Sequence, residues 1–190
     1  MILDDIKKDL EKRLSKKRFI HSSGVADSAV KLAKRYGADP GQALLAGWIH
    51  DCAKELSLQD MQKIVEDYGM KVDTFLWNNR ALLHGPAGSI LAQTKYKIID
   101  PEIQSAVYYH TTGRPDMHLL EKIIFLADYI EPNRNFPQVD IIREKAKKNL
   151  DEALLTAYNS TINHLLEENK YIYDLTFLGR NDLVMKLGYK

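Results

Sequence analysis

The chain has 190 residues, 45% of them hydrophobic, and no Pro-, Gly- or Ser-rich linker, so it is the size of one large domain (1–190) with a sizeable core. Lys and Arg number 27 against 26 acidic residues, which gives no global field to recommend nucleic acid or a membrane surface as a partner. The single Cys52 excludes an internal disulfide framework, and the N-terminal "MILDDIKKDLEKRLSKK" is too charged for a signal peptide or a membrane span, which makes the cytoplasm the default location.

Helical patterns follow one another along the chain. In "HSSGVADSAVKLAKRYG", Val25, Ala29, Leu32 and Tyr36 recur at helical spacing and Gly37 offers a C-terminal cap. Asp39 then serves as N-cap with Pro40 at the first helical position, and Asp100-Pro101 repeats the device before "EIQSAVYYH". Asp116 is expected to open "MHLLEKIIFLADYI", which Pro132 stops, and Asp151 to cap "EALLTAYNSTINHLL". "YKIID" is short and ambiguous, and no alternating stretch is long enough to read as a strand. The expectation is an all-α fold, a compact helical bundle.

Polar residues with coordination chemistry fall on the inward stripes. His21 lies one turn before Val25, His110 follows Ile103 and Val107, and Asp128 follows Leu120 and Ile124. His50 and Asp51 lie in an almost wholly apolar helix, "AGWIHDCAKEL", and His84 precedes Gly85-Pro86 at the mouth of another. Burying such groups costs several kcal/mol unless something satisfies them. Four imidazoles and two carboxylates converging in one interior would repel unless metal ions gathered them.

Each residue also has a plainer explanation. Six histidines and sixteen aspartates make roughly half a chance His-Asp dipeptide expected from composition alone. A single inward histidine is more often a satisfied core residue than a ligand. The joint pattern is harder to explain that way, since every member would need a private partner. His118 and His164 fit a structural or surface role, Cys52 a small core hydrophobe, and the Tyr108, Tyr109 and Tyr129 group reads as core.

The order His21, His50-Asp51, His84, His110, Asp128 resembles the HD-domain metal-dependent phosphohydrolases in their six-ligand, two-metal version. The flanking words "RFIHSSGVA", "HDCAKEL", "HGPAG", "YYHTTGRPDMHLLEKIIFLADYIEPNR" and the late "GRN" resemble the bacterial symmetrical bis(5′-nucleosyl)-tetraphosphatase family of the YqeK type. The likeness runs from about Arg18 to Asn181, with core motifs in about 18–134 and further helices over about 138–190. It implies a helical HD fold and hydrolysis of diadenosine tetraphosphate to two ADP. It also implies that His21, His50, Asp51 and Asp128 hold one metal and that Asp51 reaches a second held by His84 and His110, iron being the metal it favours. Mixed nitrogen and oxygen ligands equally admit manganese, cobalt or zinc.

Asp51 and Lys54 are the catalytic candidates. Lys54, one turn after His50, can reach a phosphate or snorkel to solvent. Arg114, Arg134 and Arg180 each stand between a bidentate phosphate contact and a structural salt bridge. The partner expected is a dinucleoside polyphosphate. Guanosine tetraphosphate or a deoxynucleoside triphosphate is the runner-up substrate, and a diiron oxygenase or a metal-free scaffold the runner-up class. The sequence leaves open whether the chain forms a homodimer.

Overall fold

The computed structural model describes residues 3–189. Those residues form eleven helices and no strand, the all-α architecture expected from the helical stripes. They are α1 (Leu3–Arg13), α2 (Lys16–Tyr36), α3 (Pro40–Ile49), α4 (Leu58–Tyr68), α5 (Thr74–Trp77), α6 (Arg80–Thr94), α7 (Pro101–Tyr109), α8 (Leu119–Ile130), α9 (Val139–Ala146), α10 (Leu150–Glu167) and α11 (Asp174–Lys186). None of them is long and apolar enough to cross a membrane.

Several helix ends follow the sequence. Gly37 closes α2 in the left-handed region at φ 81°, its N–H donating to Ala33 O. Asp39 accepts from the N–H groups of Gly41 and Gln42, and Asp100 from those of Glu102 and Ile103. Others differ. Asp116 does not open α8: it adopts φ 51° and pairs with Lys186, while His118 caps the helix and Glu121 reaches back to the His118 N–H at 2.8 Å. Asn149, not Asp151, caps α10 by accepting from Glu152 N–H, and Asp151 pairs with Lys122. The "YKIID" stretch is the connection into α7.

Helix α2 lies at the centre, against α3 and α8, and α7 packs between α6 and α8. Val25, Ala29, Ile49, Val107, Ile123, Ile124 and Leu126 fill the space between them and are essentially inaccessible. Each large member contributes about 1.5–3 kcal/mol through burial. A smaller cluster of Met61, Val65, Leu83 and Ala87 holds α4 onto α6. Two glycines set the spacing that the site depends on. A Cβ at Gly47 would lie 2.6 Å from Ala26 Cα, and one at Gly85 would lie 2.5 Å from Tyr108 O. Only hydrogen at these positions lets α3 approach α2, and α6 approach α7, closely enough to bring their histidines together.

Candidate metal centre

His50 and His110 are built by the same local device. Each is the residue at which a helix stops, α3 after Ile49 and α7 after Tyr109, with backbone angles still helical. At such an end the last carbonyls lack an intrahelical donor. The Nδ1 of His50 lies 2.7 Å from Gly47 O, and that of His110 lies 2.7 Å from Val107 O. With its Nδ1–H donated to a carbonyl, each ring presents a bare Nε2 lone pair. The expected apolar helix carrying both His50 and Asp51 therefore ends one residue earlier, and Asp51 lies in the tight turn that follows.

His21 reaches the same state by another route. Its Nδ1 is 3.1 Å from Oε1 of Glu131, a carboxylate only 1% exposed that also accepts from the backbone and side-chain nitrogens of Asn133. Donation to Glu131 again leaves Nε2 free to coordinate. His84 lies within the second turn of α6 rather than at its mouth, fully buried, with Nδ1 unpartnered.

The carboxylate of Asp51 sits between two histidine pairs. Its Oδ2 is 3.4 Å from His50 Nε2 and 3.7 Å from His21 Nε2, while its Oδ1 is 3.2 Å from His84 Nε2 and 3.5 Å from His110 Nε2. Asp128 Oδ1 is 3.0 Å from His21 Nε2. Two potential ligand sets thus share Asp51: one adds His21 and His50, the other His84 and His110. A third set joins His50, His110 and Asp128. The structure brings all six sequence-predicted ligands into one cluster.

The donors fit a metal pair on their chemistry. His21 Nε2, His50 Nε2 and Asp51 Oδ1 are buried without a hydrogen-bond partner, and an orphaned buried polar atom costs about 1–3 kcal/mol. A cation satisfies several converging lone pairs at once. The C-terminal ends of α3 and α7, and the last turn of α8 carrying Asp128, add partial negative charge at the same place. Burial works against ionisation of Asp51, yet the imidazoles of His50, His110 and His84 around it hold its carboxyl well below the usual range. For Asp128, burial is overcome chiefly by Arg134 and His21. Burial pushes His84 down to about 3, so its imidazole is neutral and able to ligate.

Cationic side chains border the cluster. Lys54 Nζ is 3.1 Å from His84 Nε2 and 4.0 Å from Asp51 Oδ1, and burial holds its ammonium below the ordinary value against the pull of Asp51 and Asp128. Arg134 bonds Asp128 through Nη2 and donates from Nε to the Asp128 carbonyl at 2.8 Å. Arg18, which sequence reasoning missed, donates from Nη1 to Asp51 Oδ2 at 2.7 Å. Its signal was present, since it lies three residues before His21 on the same face of α2. Arg114 realises the salt-bridge alternative: the buried Glu121 needs a cation, and Arg114 supplies it from Nε and Nη2 at 3.2 and 3.0 Å. Arg180 donates to Asn159 and Asn181, neither of which belongs to the cluster.

A family model described as HD domain matches residues 18–133. The chain belongs to the HD-domain family. The match encloses all six clustered donors together with Arg18 and Lys54. Within the HD-domain proteins, the bis(5′-nucleosyl)-tetraphosphatase, symmetrical, of Bacillus subtilis is 41% identical over 175 residues, 92% of this chain and 94% of that one. The protein of the same name from Staphylococcus aureus is 37% identical over 178 residues, 93% of this chain and 91% of that one. A crystal structure of a predicted HD superfamily hydrolase involved in NAD metabolism, from Clostridium acetobutylicum, superposes with a TM-score of 0.95 at 41% identity and covers 98% of both chains. This HD-domain chain is thus a member of the symmetrical bis(5′-nucleosyl)-tetraphosphatase family.

Proposed function

We propose that the protein hydrolyses diadenosine tetraphosphate to two ADP in the cytoplasm, with two transition-metal ions, iron first among them, held by His21, His50, Asp51, His84, His110 and Asp128. One observation carries the reading: the two oxygens of Asp51 face separate histidine pairs, with Lys54 and Arg134 beside them. When bound, a metal pair supplies Lewis-acid polarisation of a phosphoryl oxygen and a water of lowered pKa placed for in-line attack.

The chain's own residues do the rest. Lys54, Arg134 and Arg18 set three cationic groups around the carboxylates, where they neutralise phosphate oxygens as charge accumulates on the departing ADP. Bare Nε2 atoms on His21, His50 and His110, fixed by their Nδ1 bonds, supply ligands without a conformational search. Arg114 supports the loop after His110 through Glu121 and is assigned a positioning part; Arg180 is left on the α10 to α11 contact. The whole chain acts as one unit, since the helices beyond residue 134 wall the approach to Asp128.

The reaction adds water oxygen to an inner phosphorus and breaks its bridging P–O bond, releasing ADP as the leaving group. Hydrolysis in water labelled with heavy oxygen, followed by chromatography at early time, should give two ADP with label on the terminal phosphate of one. ATP with AMP would place the wrong phosphorus at the site. Preferential turnover of guanosine tetraphosphate or a deoxynucleoside triphosphate in the same panel would overturn the substrate. Elemental analysis of active protein should find close to two transition-metal ions per chain.

A further inference from the structure

Lys54 stands on a short piece of chain that is not helical. Between the end of α3 and the start of α4, residues 50–56 run through consecutive turns, with Lys54 N–H donating to Asp51 O at 2.9 Å and Leu56 N–H to Ala53 O at 3.1 Å. Such a segment leaves backbone carbonyls outside any helix ladder, and each takes a donor from water or from another element. Arg80 supplies two of these donors. Its Nε donates to Leu56 O and its Nη2 to Lys54 O, both at 2.9 Å, so one planar guanidinium spans two carbonyls.

Arg80 is out of place by the rules of its own helix. It opens α6 directly after the Asn79 cap, where the free N–H groups of a helix carry positive charge and favour acidic side chains. The first turn of α6 holds no acidic residue, and its first position is a cation. The reach across to the turn of Lys54 accounts for a residue that the helix start disfavours.

The same helix holds the other end of Lys54. His84 lies one turn after Arg80 on the same face of α6, and its Nε2 is 3.1 Å from Lys54 Nζ. Helix α6 thus grips Lys54 twice, at the carbonyl through Arg80 and at the ammonium through His84. On the far side of the turn, Glu55 accepts from Ser15 N–H at 2.6 Å and from the Ser15 hydroxyl, which ties the segment to the start of α2 without Arg80.

We infer that Arg80 is a positioning residue for Lys54: by fixing the backbone of the turn against α6, it holds the ammonium where it meets a phosphate oxygen. The inference rests on the hydrolase function proposed above. A lysine carries its charge on a long flexible stem, and an anchored carbonyl narrows the positions which that charge visits. A phosphate contact made in the transition state depends on such prior placement. The Arg80 guanidinium donates to these carbonyls and not to the clustered donors, so it acts through Lys54.

A double-mutant cycle on the metal-loaded full chain tests this. Arg80→Ala should lower kcat/KM for diadenosine tetraphosphate about tenfold, and should change it less than about twofold when Lys54 is already replaced by alanine. ADP binding should follow the same pattern, weakened about threefold in the first background and unchanged in the second. Elemental analysis should find the metal content of Arg80→Ala equal to that of the parent chain, since Glu55 still ties the turn to α2. A loss of equal size in both backgrounds is what a merely structural residue gives, and it overturns the role, as does no loss in either. Loss of metal in Arg80→Ala also overturns it, by tracing the effect to Asp51 or His84. If diadenosine tetraphosphate is not cleaved, the hydrolase reading fails and the ADP cycle alone decides on Arg80. If two ADP form and the cycle is additive, Arg80 alone fails.

Discussion

Glu131 offers the sharpest test of how the cluster is organised, because it touches the proposed metal ligands only through His21. Its carboxylate accepts from His21 Nδ1 at 3.1 Å, Asn133 N at 2.8 Å and Asn133 Nδ2 at 3.0 Å. All three donors need acceptors. Glu131→Gln retains the shape but supplies one oxygen and one NH₂ group. If the oxygen keeps the two Asn133 donors, the NH₂ faces His21 and forces the ring to carry its proton on Nε2, the atom expected to bind metal. If the amide turns the other way, its NH₂ meets the Asn133 donors. The first arrangement keeps the hydrogen bonds but inverts the tautomer; the second loses the two Asn133 bonds, about 1–3 kcal/mol each, with a melting temperature lower by about 2–4 °C for each kcal/mol in a chain of this size. Loss of an outer partner typically costs 10–100-fold in metal affinity, about 1.4–2.8 kcal/mol. Equilibrium dialysis with elemental analysis should therefore show one ion per chain weakened by about that factor and the ion of the His84 and His110 side unchanged. His110→Ala should show the reverse. Wild-type affinity for both ions in Glu131→Gln would refute the idea that Glu131 sets the His21 tautomer.

Asp51→Asn should impair both ions together, because its two oxygens serve different histidine pairs; a variant that still binds two ions tightly would mean that Asp51 is not shared. Lys54→Ala and Arg134→Ala should each lower catalytic efficiency by about 2–4 kcal/mol with metal content intact, as expected for lost charge-assisted phosphate contacts, and unchanged kinetics in both would return them to structural ion pairing. Cys52, 2% exposed and packed against Gly88 O, should resist alkylation by iodoacetamide in the folded protein and react fully after denaturation; rapid native labelling would contradict its placement in the core.

Much of the candidate site was legible because helical spacing reports which face a residue occupies, whatever the helix boundaries. His21, His110 and Asp128 were found from stripes of Val25, Ile103, Val107 and Ile124, and those stripes survive errors of two residues at a cap. The caps themselves were harder. Asp116 and Asp151 are good N-cap residues, yet Lys186 and Lys122 claim them, and those partners come from distant parts of the chain. Glu131 and Arg18 escaped for a related reason. Each lies one turn from a chosen ligand, Asp128 and His21, but an acid or an arginine at a helix end usually faces water. Only the packing shows Glu131 buried, in a space that depends on Gly24: a Cβ there would lie 2.5 Å from Glu131 Oε2. Arg114 shows the converse. Its position just after His110 admits a phosphate contact or a salt bridge alike, and only the packing shows that the buried Glu121 seven residues later holds it.

The site owes its chemistry to where helices stop. Had α3 and α7 run on through His50 and His110, the carbonyls of Gly47 and Val107 would have been taken by the N–H groups four residues later, Asp51 and Thr111. The imidazole Nδ1 protons would then have lost their acceptors, and either nitrogen could have carried the proton. Termination frees each carbonyl, the carbonyl fixes the tautomer, and the fixed tautomer aims Nε2 at Asp51. The same terminations point two helix dipoles at that carboxylate with their negative ends, which disfavours a lone anion there and favours a bound cation. Outside this anionic layer lie Arg18, Lys54 and Arg134, so the charges alternate from helix ends to cations to phosphate. Arg18 and Lys54 thus stand beside Asp51 and Arg134 beside Asp128, a local concentration of positive charge in a chain whose 27 basic and 26 acidic residues nearly cancel.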